Sequence, residues 1–180
     1  MSRTNPYKRK RRSASKTILI YGEGLDEETF LKHLRGIYSK NKNIAITIRK
    51  GKGGSVSNLV MDAYKSYGVF NKKAVVLDND RGVREMRKAR EEAKKKCIEL
   101  YEHTPCLESV FLSIMTDGKS FKNKPSNWCK QEFKSKHLAR KKRNDLKEYT
   151  KLMPKKLLDK QITKIPELKK LISLMRGRFK

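Results

Sequence analysis

Three carboxylates in this strongly basic chain sit where chemistry is possible. Glu23 follows the apolar run Ile18-Leu19-Ile20-Tyr21, within Gly22-Glu23-Gly24, and Asp78 and Asp80 follow Ala74-Val75-Val76-Leu77. Each run reads as a buried strand, and neighbouring strands of a parallel sheet bring their carboxyl ends together. Asp78 and Asp80 are two residues apart, so in extended backbone both side chains leave the same face. Three carboxylates gathered there would form a hard-oxygen site for Mg²⁺ or Mn²⁺. Water on such an ion is a better nucleophile, and the ion stabilises charge growing on phosphorus oxygens. On a chain of net charge +27, that chemistry points to a polyanion, DNA or RNA. Singly, each carboxylate reads equally as a solvated turn residue or a helix cap. The occurrence of Gly-Glu-Gly and Asp-x-Asp at equivalent places on two strands is what sets them apart.

The elements that must position these residues follow from periodicity. Strands are expected at 17–21, 43–48, 73–77 and 98–101, the third being central because its apolar character is unbroken. Asp26 is the expected N-cap of a helix to about residue 39, with Glu27 and Glu28 in its positive first turn. Ser55 or Ser57 caps a second helix whose inner face is Val60, Ala63, Tyr64 and Tyr67, stopping near Gly68. A third helix, about 82–96, turns Val83, Met86, Ala89 and Ala93 inward. Thr104-Pro105 opens a fourth, with proline at the first helical position. The alternation β-α-β-α-β-α-β-α predicts an α/β fold, a mostly parallel four-stranded sheet flanked by helices. Beyond Asp117, short basic helices are expected at about 126–140, 144–152 and 166–176.

Charge divides the chain into three. Residues 1–16 carry seven basic and no acidic side chains, and residues 117–180 carry 21 basic against six acidic. Between them, residues 17–116 are nearly balanced, with 18 basic and 13 acidic side chains. We therefore expect a disordered basic arm at 1–15, an α/β domain at 16–116, and a basic helical extension at 117–180 packed on or beside it. Lys8, Arg9, Lys10, Arg11 and Arg12 in the arm are candidate phosphate contacts, as are Arg140, Lys141, Lys142 and Arg143 in the extension. Three cysteines without CxxC pairing suit a reducing cytoplasm better than a disulfide scaffold. No signal peptide or membrane-spanning run is read, so no membrane partner is expected.

The same residues carry a family resemblance over about residues 16–116. Leu19-Ile20-Tyr21-Gly22-Glu23-Gly24, then a helix, then Val75-Val76-Leu77-Asp78-Asn79-Asp80, resembles the Toprim domain of primases, topoisomerases and OLD-type nucleases. Its pattern is a glutamate after the first strand and Asp-x-Asp after the third. Thr104-Pro105-Cys106-Leu107-Glu108-Ser109-Val110-Phe111-Leu112 is similar to a segment of the RloB family, a Toprim branch tied to phage defence. The aromatic that follows proline there is replaced here by Cys106-Leu107. The resemblance implies a Rossmann-like fold and a Mg²⁺- or Mn²⁺-dependent nuclease, acting as an antiviral effector with an activating protein in a larger complex. It implies that Glu23 is the catalytic glutamate or a metal ligand, that Asp78 and Asp80 are the metal pair, and that Glu108 lies near the site.

Weaker signals surround this core. Lys50 and Lys52 in the glycine-rich loop Lys50-Gly51-Lys52-Gly53-Gly54-Ser55 could hold a phosphate, and the loop reads equally as a plain β-to-α connection. Arg81 and Arg84 could face a transition-state phosphate, or only solvent. Trp128 with Lys130 and Lys134 could stack on a base, although a lone tryptophan in a helical seam is more often core. His103 reads as a surface histidine and Cys106 as packed. Two other functions remain open: a non-enzymatic nucleic-acid-binding or ribosome-associated protein, and a nuclease like the small RNA-maturing Toprim enzymes.

Overall fold

Apolar runs build the sheet as the periodicity predicts. The computed structural model describes residues 14–40, 43–138 and 142–179. Strands Lys16–Gly22 (β1), Ile44–Lys50 (β2), Lys72–Asp78 (β3) and Glu99–His103 (β4) pair in the order β2-β1-β3-β4, every pairing parallel. β1 and β3, the two most continuously apolar strands, are therefore interior. The helices among the described residues are Leu25–Tyr38 (α1), Val56–Lys65 (α2), Val83–Lys95 (α3), Leu107–Met115 (α4), Ser126–Lys136 (α5), Leu146–Leu152 (α6), Lys155–Gln161 (α7) and Pro166–Met175 (α8). The α/β class and parallel sheet are as the sequence predicts, and the arrangement is consistent with a Rossmann-like or Toprim-like fold.

Alternation along the strands makes two cores. Leu19, Tyr21, Val75 and Leu77 pack under α2 and α3, and Ile18, Ile20, Ala74 and Val76 pack on the other face. That second face carries α1, α4 and the described helices of the extension: Phe133, Tyr149, Met153, Leu158, Leu168 and Ile172 belong to the same buried cluster as the strands. The extension is thus one core with the sheet. Phe111 is its hub, with ring centroids 4.8 Å from Phe30, 5.0 Å from Phe133 and 5.8 Å from Tyr149. Phe111→Ala is expected to cost about 3–5 kcal/mol in chemical denaturation, because the lost transfer energy adds to a cavity that three rings cannot fill.

Several local expectations need correction. Val83, expected inward, is 84% exposed, since it stands one turn before the packed stripe Met86, Ala89, Ala93 begins. Tyr67 is also exposed, because α2 already ends at Lys65; Tyr64 lies half on the surface with the Lys96 ammonium 4.2 Å from its ring centre. Gly24, not Asp26, precedes the first turn of α1 as its cap, leaving Asp26 in that turn. Pro105 stands before the cap of α4 in a cis peptide with Thr104, so Cys106 is the N-cap. His103 is buried rather than on the surface. The helix α7 had no counterpart in the sequence reading. The expected arm lies almost wholly outside the described residues, and with it Lys8, Arg9, Lys10, Arg11 and Arg12; so do Arg140 and Lys141. No described helix is long and apolar enough to cross a membrane.

Candidate metal centre

The carboxyl ends of β1 and β3 lie side by side, and Glu23 continues the ladder through its N–H to the Val76 carbonyl at 3.1 Å. Gly22 makes this possible. A Cβ there would stand 2.7 Å from the Glu27 Cβ, so only glycine lets α1 start directly against the strand end. The tight start delivers Glu23, Asp26 and Glu27 to the same rim as Asp78 and Asp80.

Asp78 is the centre of the site. It is buried, and its Oδ1 accepts the Leu107 N–H at 2.8 Å, at the positive N-terminus of α4. Burial, reinforced by the nearby Glu27 and Glu108 carboxylates, pushes its carboxyl up to about 8, against the pull of Lys130. Glu27 is also buried and is raised to about 7, chiefly by desolvation, although its Oε2 accepts the Gly24 N–H at 2.8 Å. Burial also lifts Asp26, opposed by Arg143. These carboxylates are crowded and desolvated, the condition in which a cation binds most favourably.

Among the described residues, the metal-ligating atoms that come together are those of Asp78, Cys106 and Glu108, all within 4.8 Å of one another and all buried. The expected trio shares the rim, but Glu23 and Asp80 are turned to other partners. The Glu23 carboxylate meets the Arg81 guanidinium, and its second oxygen lies 3.4 Å from the Asp78 backbone nitrogen. Asp80 Oδ2 accepts from the Ser126 hydroxyl at 2.6 Å and from the Lys130 ammonium at 3.0 Å. Burial works against it, yet these two donors hold the Asp80 carboxyl below its ordinary value. The Lys130 ammonium is also 3.4 Å from Asp78 Oδ2, so it bridges the Asp-x-Asp pair in the place a cation would take.

Comparison with protein-family models, with curated proteins and with solved structures finds no match.

Two of these three donors, the Asp78 and Glu108 carboxylates, are of the kind a hard divalent ion takes. Mg²⁺ takes one or two protein carboxylates and fills its shell with water and substrate oxygens, at about 2.0–2.1 Å. Asp78 and Glu108 each offer a carboxylate oxygen, the two lying within 4.8 Å of each other. Cys106 is a poor partner for such an ion: burial, with the Glu108 charge, pushes its thiol up to about 12, so it stays protonated. Its sulfur leans instead toward the Ser126 carbonyl at 3.8 Å.

The basic residues divide into two groups. Lys50, Lys52, Arg84 and Lys142 are exposed, as a strand-binding surface requires, and Lys134 is partly so. Arg143, expected with them, is buried and reaches inward to Asp26 and Glu108, because two desolvated carboxylates draw it from solvent. Just past the glycine loop, Glu85 Oε1 accepts the Val56 N–H at the start of α2, at 2.9 Å. Trp128 stacks on Phe121 with rings 6.0 Å apart and keeps 36% of its surface exposed, with Lys124 over its face.

Sequence reasoning missed Glu27. The signal was present, since Glu27 shares the helical stripe of Phe30, Leu31 and Leu34 and must face the core with them. Lys130 as internal counter-ion had no sequence signal, because α5 and β3 lie about fifty residues apart in the chain.

Proposed function

We propose that this chain is a Mg²⁺- or Mn²⁺-dependent nuclease that hydrolyses phosphodiester bonds in DNA or RNA. One observation carries the reading: the carboxylates of Glu23, Asp26, Glu27, Asp78 and Glu108, all buried or half-buried, converge at one end of the sheet beside the more exposed Asp80, in a chain of net charge +27. Asp78 and Glu108 would hold the ion, with Glu23 and Asp80 at its rim. The bound ion would supply a nucleophilic water at neutral pH and offset charge on the phosphate. Arg81 and Lys130 stand beside these carboxylates and are placed to hold phosphate oxygens when a substrate draws them away. Glu27, with its carboxyl raised to about 7, is a group able to take a proton near neutrality. The resemblance to Toprim nucleases of the RloB kind supports the same reading.

A second reading has its own observation. Glu23 is engaged by Arg81, Asp80 by Lys130, and Asp26 and Glu108 by Arg143. A cluster compensated in this way would serve equally as the internal framework of a non-enzymatic nucleic-acid-binding protein. Incubation with end-labelled single- and double-stranded DNA and RNA, in Mg²⁺, Mn²⁺ or EDTA, separates the two. Cleavage in metal and none in EDTA is the expected result. Retention of the labelled strands without cleavage, together with no Mn²⁺ bound in calorimetry, would leave only the binder.

A further inference from the structure

The outer edge of β4 carries a feature that the rim chemistry does not use. Among the described residues β4 pairs only with β3, so its other side presents unpaired main-chain N–H and C=O groups. Two clefts lie along it. One, of about 240 Å³, is lined by the unbroken run Leu100, Tyr101, Glu102 and His103 and by Glu167 and Lys170 of α8. The other, of about 430 Å³, continues from Leu100 and Tyr101 to Glu99 and under the start of the strand to Lys72 of β3, with Lys169, Lys170, Arg178 and Phe179 on its far wall. Successive strand residues point to opposite faces, so the first cleft, touching Leu100 to His103 in turn, runs along the strand edge rather than over one face, and the second extends it past Glu99. Their shared residues make them one groove, about 16 Å long by strand rise, the length of five extended residues.

The charge of the groove is decided by what its own acids already hold. Lys72 lies 2.5 Å from Glu99, Arg90 2.6 Å from Glu102, and Lys122 2.7 Å from Glu167. Lys169, Lys170 and Arg178 make no ion pair among the described residues, and both lysines are exposed. The surplus is therefore positive. At one end His103 is 1% exposed, and neither ring nitrogen has a hydrogen-bond partner. A buried imidazole without partners beside an open cleft is a polar group left for a ligand to satisfy.

We propose that the outer edge of β4 and the basic flank of α8 form a docking groove for an extended acidic segment of a partner protein, which adds to the sheet as a fifth strand. Main-chain pairing supplies the register, and the lysines select alternate acidic side chains. A nucleic acid would meet the same positive charge but has no use for a row of amide and carbonyl groups. A second copy of a chain of net charge +27 brings repulsion rather than complement.

The test uses the full chain and a fluorescein-labelled octapeptide alternating valine and glutamate, followed by anisotropy. Saturable binding is expected. It should weaken at least tenfold in Lys169→Glu/Lys170→Glu, two surface changes that leave metal-dependent cleavage as it was. It should also be lost when alternate amides of the octapeptide are N-methylated, which keeps charge and removes strand pairing. Equal binding of the methylated and plain peptides would overturn the proposal, as would absence of binding at millimolar peptide. Displacement of the peptide by an octathymidylate at equal concentration would assign the groove to nucleic acid and overturn it too. Sedimentation showing a dimer that dissociates in the double variant would assign the edge to self-pairing instead.

Discussion

An Asp78→Asn chain is expected to fold as the parent does and to lose metal-dependent cleavage by at least two orders of magnitude. Asparagine keeps an oxygen for the Leu107 N–H, so the link between β3 and α4 survives. It removes the buried carboxylate that the Leu107 N–H and the Lys130 ammonium both face. Loss of a group that merely orients a ligand costs about 10–100-fold in metal affinity or activity, and loss of the ligand itself costs more. The pH dependence distinguishes this from a structural effect. In the folded chain Asp78 titrates at about 8, against roughly 3.9 when unfolded, so between those values the folded state keeps a proton that the unfolded state has released. Stability in EDTA therefore falls as pH rises from about 4 to 8, and Glu27, raised to about 7, acts in the same direction. The variant should show a shallower fall. Metal binding should tighten over the same window, because the ion displaces the proton. Full activity in Asp78→Asn, or a pH profile identical to the parent's, would remove Asp78 from the chemistry.

The part of this architecture that was legible in sequence is the part written locally. Runs such as Ala74-Val75-Val76-Leu77, short, β-branched and unbroken, read as interior strands, and their ends place Glu23, Asp78 and Asp80 at the carboxyl edge of the sheet. The glycine at 22 showed a turn but not its purpose, which is the close approach of α1. What escaped was long-range. In α7 the apolar residues Leu157 and Leu158 are adjacent, too few to show a helical period, and the helix is held by the core it completes. Lys130 and Arg143 looked like members of a solvated basic surface. Their composition is that of a nucleic-acid contact, and only packing shows that they face carboxylates. A strongly basic extension was easy to read as a strand-binding tail. Its physical role among the described residues is double: it buries one face of the sheet and supplies Lys130 and Arg143 to the acidic rim, beside Arg81 from the turn after β3.

That second role yields the other large effect. Lys130→Met is expected to tighten binding of Mn²⁺ about tenfold while lowering the thermal stability of the metal-free chain. The ammonium lies 3.0 Å from Asp80 and 3.4 Å from Asp78, between the carboxylates an ion must use. At an effective dielectric of about 20, one charge at that separation is worth about 5 kcal/mol. The Lys130 side chain remains 31% exposed, so water and salt reduce the expected difference to about 1–2 kcal/mol, near one decade in affinity. Methionine keeps the length of the stem and its packing on α5 while removing the competing charge. In EDTA the variant leaves Asp80 without its ion-pair partner, so its melting temperature should drop, and Mn²⁺ should restore it through binding to the folded state alone. Lys136→Met, on the same helix and paired with Glu132 in solvent, serves as the control and should change neither quantity. Weaker Mn²⁺ binding in Lys130→Met would mean that the ammonium shapes the site rather than competing for it, and equal binding would place the ion away from the Asp-x-Asp pair.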